Sequence, residues 1–172
     1  NGRPVYHILS NGYKDFREYL LVIVAKLKGI IGPKINETIL IFDRGGYGKD
    51  FLKKLSPQVS FICWQLGKNP VPDNAVWTEV ILTHQGNEYA HEKNIIVKAT
   101  ERITGKKQKC EREIWIEKDG KISPAYSNDK KRKLPELVKI LLARWGCQEN
   151  VFKPLKEMGI DKISSYEVNE YP

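Results

Sequence analysis

The sequence predicts an α/β fold in which a mixed sheet is flanked by helices. In the first 70 residues, short apolar runs alternate with segments of helical period. That order is typical of β-α-β units, with a largely parallel sheet and right-handed crossovers. From about residue 70 to 130 the helical period disappears and β-like segments follow one another, which predicts an antiparallel β insertion. With 172 residues, 41% of them hydrophobic, the chain is long enough for one domain that spans its whole length.

Periodicity and turn residues define the elements of the first half. Apolar side chains recur every three or four positions before Gly32-Pro33, a pair that ends helices. The run from Thr38 is apolar up to Asp43, as expected of a strand covered on both faces. The predicted elements are a strand at Arg3–Ser10, a helix from about Tyr13 to Ile31, a strand at Thr38–Asp43, a short helix at Lys49–Leu55 and a strand at Val59–Leu66.

The second half is predicted to contain strands first and then one helix. Alternating or β-branched segments are separated by turn sequences such as Asp119-Gly120. Pro135 suits the first turn of a helix, which we expect to run to about Lys153, where Pro154 stops or kinks it. The predicted strands are Val76–Thr83, Asn94–Thr100 and Arg112–Glu117.

Composition excludes several classes of protein. The cysteines Cys63, Cys110 and Cys147 lie far apart and have no histidine at ligand spacing, which indicates reduced thiols in a cytoplasmic protein and argues against structural zinc. The longest apolar run, Leu20 to Ala25, is far shorter than the roughly 20 residues that span a bilayer, so no membrane partner is predicted. The chain begins at Asn1 without a signal-peptide pattern, and we expect it to be part of a longer or processed protein.

Basic charge is concentrated in one part of the chain. The net charge is +8, and the segment from Lys98 to Lys133 holds 12 Lys or Arg against 6 Asp or Glu. Clustered basic charge is typical of a surface that binds a polyanion, most often nucleic acid, although a solvated basic surface gives the same count. The candidate DNA contacts are Lys106, Lys107, Lys109, Arg112, Lys130, Lys131, Arg132 and Lys133.

Asp43 is the first candidate for chemistry. It ends a predicted strand and precedes a glycine-rich turn, FDRGGYG. In open parallel α/β sheets, sites form just beyond the carboxyl ends of strands, so this position suits a catalytic carboxylate. An aspartate that caps the turn is the alternative. The turn matches neither a P-loop nor a dinucleotide-binding fingerprint.

Glu149 is the second candidate. It falls on the apolar stripe of the last predicted helix, with Leu141, Trp145 and Phe152. An ionised carboxylate is costly to bury unless a cation or several donors meet it. Asp43 and Glu149 could together hold Mg²⁺ or Mn²⁺, which favour oxygen ligands. The alternative is an exposed glutamate that pairs with Lys153 one turn later.

Two segments together resemble a known family. The stretch LIFDRGGYGKDFLKKL resembles the second-aspartate segment of bacterial insertion-sequence DDE transposases, and ARWGCQENVFKPLKEMGIDKISSY resembles their third-acid helix. The two segments cover about a quarter of the chain closely and stand in the family's order. A β insertion between them is also a family arrangement.

The resemblance implies an RNase H-like catalytic domain that cuts and joins DNA in cut-and-paste transposition with two Mg²⁺ or Mn²⁺ ions. Asp43 would be the second acid and Glu149 the third, both as metal ligands. Lys156 matches the DNA-binding lysine of the family's Tyr-Arg-Glu-Lys signature, and Lys153 belongs to the same segment. Arg144 is a looser match, because four residues separate it from Glu149 where the signature has three. The implied partners are the double-stranded DNA of the transposon ends and target, and a second copy in the DNA complex.

The chain departs from the family at one essential position. The family's first aspartate lies on a strand upstream of any residue of this sequence. The resemblance therefore implies the C-terminal part of a catalytic domain, with an incomplete site when the chain is alone. Whether this chain is itself an enzyme stays open.

Three other interpretations stay open. The first is an RNase H-like module that binds DNA and cuts nothing. The second is a metal-dependent nuclease of the restriction type, for which Asp119-Gly120-Lys121 and Asp129-Lys130-Lys131 offer a loose Asp-x-Lys pattern. The third is an α/β protein unrelated to DNA, whose basic excess only solvates its surface.

Overall fold

A computed structural model of the protein describes residues 15–84, 93–105 and 111–143. The helices and strands of these ranges lie in a compact unit, Phe16–Leu141, except for the last two residues of the final helix. In chain order they are α1 (Phe16–Ile31), β1 (Ile39–Phe42), α2 (Lys49–Leu55), β2 (Ser60–Trp64), β3 (Thr78–His84), β4 (Lys93–Thr104), β5 (Glu111–Lys118), β6 (Lys121–Ser127) and α3 (134–143). Two short 3₁₀ helices follow α1 and β1, at Gly32–Asn36 and Arg44–Gly46.

The strands form a single mixed sheet in the order β1-β2-β6-β5-β4-β3. Strands β1 and β2 are parallel, and every other neighbouring pair is antiparallel. The prediction of an α/β fold with a mixed sheet is confirmed. The largely parallel sheet expected for the first half is reduced, in the described residues, to one parallel pair, because β2 takes the antiparallel β6 as its other neighbour.

The helices and most strands lie where periodicity placed them. Helix α2 has the predicted bounds, and α1 ends at Ile31 because Gly32 takes a positive φ of 55° and Pro33 follows it. Strands β4 and β5 are longer than predicted at both ends, whereas β3 begins two residues later and ends one residue later than predicted. The strand predicted at 3–10 lies outside the described residues, as does the predicted last helix beyond residue 143.

The sequence pattern missed β6. Its residues KISPAYS include a proline in the middle, which lacks the N–H that a strand uses for pairing and is a signal against a central strand. The turn before it was predicted. Asp119 and Gly120 have φ values of 52° and 74°, as a tight hairpin between β5 and β6 requires.

The two faces of the sheet bury different groups. The register of β1 and β2 puts Phe42, Phe61 and Cys63 on the first face. This face packs against Leu20 and Val24 of α1 and against the apolar side of α2. The second face carries Ile62, Ile114 and Arg112. Arg112 donates to the carbonyls of Asp129 and Arg132, so the loop before α3 is held on the second face.

Helix α3 follows this loop and carries a buried apolar stripe. Its side chains Leu137, Val138 and Leu141 are fully buried at helical spacing. Strand β1 is less covered than expected: Ile39, Leu40 and Ile41 are only partly buried, and among the described strands β1 has β2 as its neighbour. No helix among the described residues is long and apolar enough to span a membrane.

Candidate functional site

Asp43 lies immediately beyond the carboxyl end of β1. Its backbone is still extended, with φ −81° and ψ 172°, and it caps the 3₁₀ helix that follows. The Arg44 backbone N–H donates to Asp43 Oδ1 at 2.8 Å, and the residue is exposed. The capping role is therefore present.

The glycines after Asp43 serve packing. A Cβ on Gly46 would stand 2.5 Å from Cδ2 of Phe42, and one on Gly48 would stand 2.7 Å from Nη1 of Arg17. Gly45 has open space around it. The turn thus folds back over the ring of Phe42, which explains a glycine-rich sequence that is not a phosphate-binding loop.

Trp64 is the last residue of β2 and lies one position beyond the Phe42–Cys63 pair. Trp64 is 8% exposed, and its indole Nε1 has no hydrogen-bond partner in the described structure. Cys63 is fully buried, and burial raises the pKa of its thiol far above the usual range.

Arg112 is buried in the protein interior. Its guanidinium donates to both carboxylate oxygens of Glu101, at 2.7 and 3.0 Å, and to the carbonyls of Asp129 and Arg132. The side chain is 5% exposed. A buried guanidinium with four such bonds cannot reach a phosphate backbone, so the prediction that Arg112 contacts DNA is corrected: the residue is a structural anchor.

Two residues of the basic run also make internal bonds. Lys131 Nζ donates to the Asn36 carbonyl at 3.0 Å, and Arg132 bonds the Asp129 carboxylate and the Glu37 carbonyl. Lys130, Lys131 and Lys133 are nevertheless exposed, whereas Arg132 is only partly so. The run therefore joins a structural role to an accessible positive surface.

Asp129 organises this run from within. Its carboxylate is buried, and Oδ1 accepts from the backbone N–H groups of Lys131 and Arg132, each at 2.8 Å. Burial alone would raise the pKa of Asp129. The two backbone donors and the Arg132 guanidinium outweigh that effect, and the pKa is lowered. Sequence reasoning did not single out this carboxylate as a cap, although an Asp directly before a basic turn is a capping signal.

The other predicted site residues fall outside the described part of the chain. These are Glu149, Arg144, Lys153, Lys156, Lys106, Lys107 and Lys109. Of the two predicted metal ligands, the structure thus positions Asp43. Within residues 15–84, 93–105 and 111–143, no group of three or more His, Cys, Asp or Glu side chains is arranged to hold a metal ion.

A cavity of about 680 Å³ opens on the first face of the sheet, between α2 and strands β5 and β6. We call it the tyrosine cavity, because Tyr47 and Tyr126 meet there with ring centroids 6.2 Å apart and planes at 78°. Burial raises the pKa of both hydroxyls. Nothing in the sequence pattern indicated it, since Tyr126 lies on the strand that was missed. The remaining lining is Lys49, Leu52, Lys53, Ser56, Pro57, Phe61, Glu111, Glu113 and Asn128.

No protein-family model matches the chain, and no curated protein is significantly similar to it.

Proposed function

We propose that the chain is the C-terminal part of an RNase H-like DDE transposase catalytic domain, which cuts and joins DNA with divalent metal ions. The observation that carries the proposal is the position of Asp43: exposed, and directly after β1 at the carboxyl end of the parallel pair. That edge is where parallel α/β sheets place their sites. The resemblance to the family's second-aspartate segment concerns this same residue.

The apolar spacing of α3, continued along the sequence, supports Glu149 as the second metal ligand. Its buried positions Val138 and Leu141 recur at helical spacing, and the same spacing continued leads to Trp145 and Glu149. On this proposal, β3 to β6 correspond to the β insertion between the second and third acids.

Asp43 and Glu149 would hold Mg²⁺ or Mn²⁺, with the first aspartate supplied from upstream. Paired metal ions support in-line phosphoryl transfer by activating the attacking oxygen and stabilising the leaving one. The two residues fit this use, because both ligands offer hard carboxylate oxygens.

The proposed DNA surface rests on exposed basic side chains. Lys130, Lys131 and Lys133 are exposed beside α3. Double-stranded DNA of the transposon ends and target is the proposed partner, with a second copy of the chain in the complex, and the cytoplasm is the proposed location. Further proposed contacts are Lys106, Lys107, Lys109, Arg144, Lys153 and Lys156; Arg132 contributes through its exposed part, and Arg112 is left out.

Metal binding tests the proposal directly. We expect this chain to bind Mn²⁺, measured by the loss of the free-ion electron paramagnetic resonance signal, and we expect Asp43→Asn and Glu149→Gln each to weaken binding at least about tenfold. Asp50→Asn is the matched control, because the Asp50 side chain is 93% exposed on α2 and its partner is Lys53. Equal Mn²⁺ binding in all four proteins would refute a site built on Asp43 and Glu149.

A module that binds DNA without cutting it is the second candidate. It is favoured by the cap bond that Asp43 already makes. Nicking of transposon-end DNA by the chain extended upstream to include the family's first aspartate separates the two. The transposase proposal expects Mn²⁺-dependent nicks that both substitutions abolish. DNA affinity with no nicks under any metal would establish the binding module instead.

The nuclease interpretation draws no support from its two patterns. Asp129 is fully buried and bonded to the backbone of its own loop, so it presents no carboxylate to a substrate. Asp119 stands in the β5–β6 turn with a positive φ, away from any buried strand position.

A further inference from the structure

The tyrosine cavity lies on the face of the sheet opposite the strand position of Asp43. Tyr126 and Phe61 share the register of Phe42, whereas Asp43 is the next residue along an extended backbone and so falls on the other face. The cavity volume of about 680 Å³ is within the range of small-molecule sites, roughly 300–1,000 Å³. Asp43 is not among the residues that line the cavity.

Its two walls carry opposite charge. Lys49 and Lys53, one helical turn apart, line the α2 side, and Glu111 and Glu113 line the β5 side. The two lysines make few interactions with other described residues. Lys49 makes no hydrogen bond or ion pair in the described residues, and Lys53 has only an exposed contact of 3.5 Å with Asp50, which is worth little.

The acidic wall is held in place by its neighbours. Glu113 accepts from Arg102 Nε at 2.8 Å and from Asn69 Nδ2 at 3.3 Å. Burial and the nearby carboxylates of Glu111 and Glu113 raise the pKa of the Tyr126 hydroxyl. Each carboxylate still has lone pairs for a further donor, since an ionised carboxylate accepts at about four positions.

An aromatic corner joins the walls. The rings of Tyr47 and Tyr126 stand almost perpendicular, and Phe61 stacks beside Tyr126 with centroids 6.1 Å apart. A planar ring laid on one tyrosine would meet the edge of the other, which is the favoured geometry for aromatic contacts. The cavity thus offers a cationic end, an aromatic surface and an acceptor end.

We propose that the tyrosine cavity binds a mononucleotide whose phosphate contacts Lys49 and Lys53, whose base lies against Tyr47 and Tyr126, and whose exocyclic amino group donates to the carboxylates of β5. Lysine binds phosphate as a point charge, and a base offers both the π-face and the donor that the rest of the cavity requires. This site needs neither metal nor DNA, so it stands independently of the proposed transposase activity.

Isothermal titration with adenosine 5′-monophosphate tests the proposal. We expect saturable one-to-one binding at about 10 µM to 1 mM. The double variant Lys49→Gln/Lys53→Gln should weaken it at least about tenfold, or 1.4 kcal/mol. The double variant Lys26→Gln/Lys28→Gln removes the same charge from exposed positions on α1, away from the cavity, and should bind like the unmodified chain.

Three further ligands test the contributions of the phosphate, the nucleoside and the exocyclic amino group separately. Adenosine and orthophosphate should each bind more weakly than the intact nucleotide. Inosine 5′-monophosphate should also bind more weakly, because it presents an acceptor where adenine presents its amino donor. Orthophosphate that binds as well as the nucleotide, equal binding by the two lysine variants, or no binding at all would overturn the proposal. Because both lysines are exposed, the cavity variant should retain the unfolding midpoint of the original chain, and loss of binding will not reflect misfolding.

Discussion

Gly46 shows how one residue beside the candidate site is fixed by packing. Its Cα lies against the Phe42 ring, and the chain turns there with a bond from its own N–H to the Asp43 carbonyl at 2.9 Å. The same short segment therefore places a side chain in the core, reverses the chain and presents Asp43 to solvent. The sequence indicated the turn and Asp43, but it could not show which glycine the ring requires.

Replacing Gly46 by alanine should destabilise the protein by about 1–3 kcal/mol, because the new Cβ would stand 2.5 Å from the Phe42 ring and force it to move. Gly45→Ala is the control, since its Cβ would enter open space. Urea unfolding measures both. Equal destabilisation by the two substitutions would show that backbone freedom, and not the ring, selects glycine at position 46.

Asp129 should make stability depend on pH below neutrality. Its folded-state pKa lies below the ordinary 3.8, so the protein gains stability from its ionised form above that value and loses it as the pH falls through the folded-state pKa. Asp129→Asn should cost about 1–3 kcal/mol at pH 7, because a buried acceptor of two backbone N–H groups is weakened.

The difference in unfolding free energy between the Asp129→Asn variant and the original chain should shrink as the pH falls below about 4. Urea titrations at a series of pH values measure it, with the exposed Asp50→Asn as a control that should show no such difference. A constant difference down to acid pH would mean that the Asp129 carboxylate does not carry the effect.

At the scale of elements, periodicity predicted what local sequence determines. Both helices before the second strand repeat apolar residues every three or four positions, and their bounds were largely predictable. The partner of β2 was not, because β6 follows it by about 60 residues and carries Pro124. The candidate sites also differ in how far local sequence predicts them. Asp43 was readable as the end of a strand, whereas the tyrosine cavity needs Tyr126 to be brought beside Tyr47 by that long-range pairing.

Strands β4 and β5 carry two cross-strand Arg–Glu ion pairs on opposite faces, so the effect of burial on such a pair can be compared within one protein. Arg112–Glu101 is buried and anchors the loop before α3, whereas Arg102–Glu113 is half-exposed. Arg112→Lys should cost about 3–5 kcal/mol, because lysine lacks the planar fork that serves Glu101 and two carbonyls together. Arg102→Lys should cost less than about 1 kcal/mol. Thermal or urea unfolding compares them, and a ranking in the opposite order would contradict the anchoring role.

For the molecule as a whole, the pairing of β2 with β6, which we call the seam, joins a parallel part of the sheet to an antiparallel part. On one side of it lies the parallel pair β1–β2 with its crossover helix, and on the other lie four antiparallel strands joined in sequence. Ser127 Oγ reinforces the seam by donating to the Phe61 carbonyl at 2.7 Å across 66 residues of chain.

This seam has a consequence for the rates of folding. Neighbouring strands β5 and β6 need only a two-residue loop to meet, whereas β2 and β6 must close a long one, so we expect the seam to form after the transition state. Ser127→Ala should then accelerate unfolding and leave the refolding rate nearly unchanged, whereas a change in the Asp119–Gly120 turn, such as Gly120→Ala, should mainly slow refolding. Stopped-flow chevron plots distinguish the two, and slower refolding in Ser127→Ala would place the seam in the nucleus. With a late seam, the tyrosine cavity, which needs Tyr126 beside Tyr47, is completed in the last step of folding.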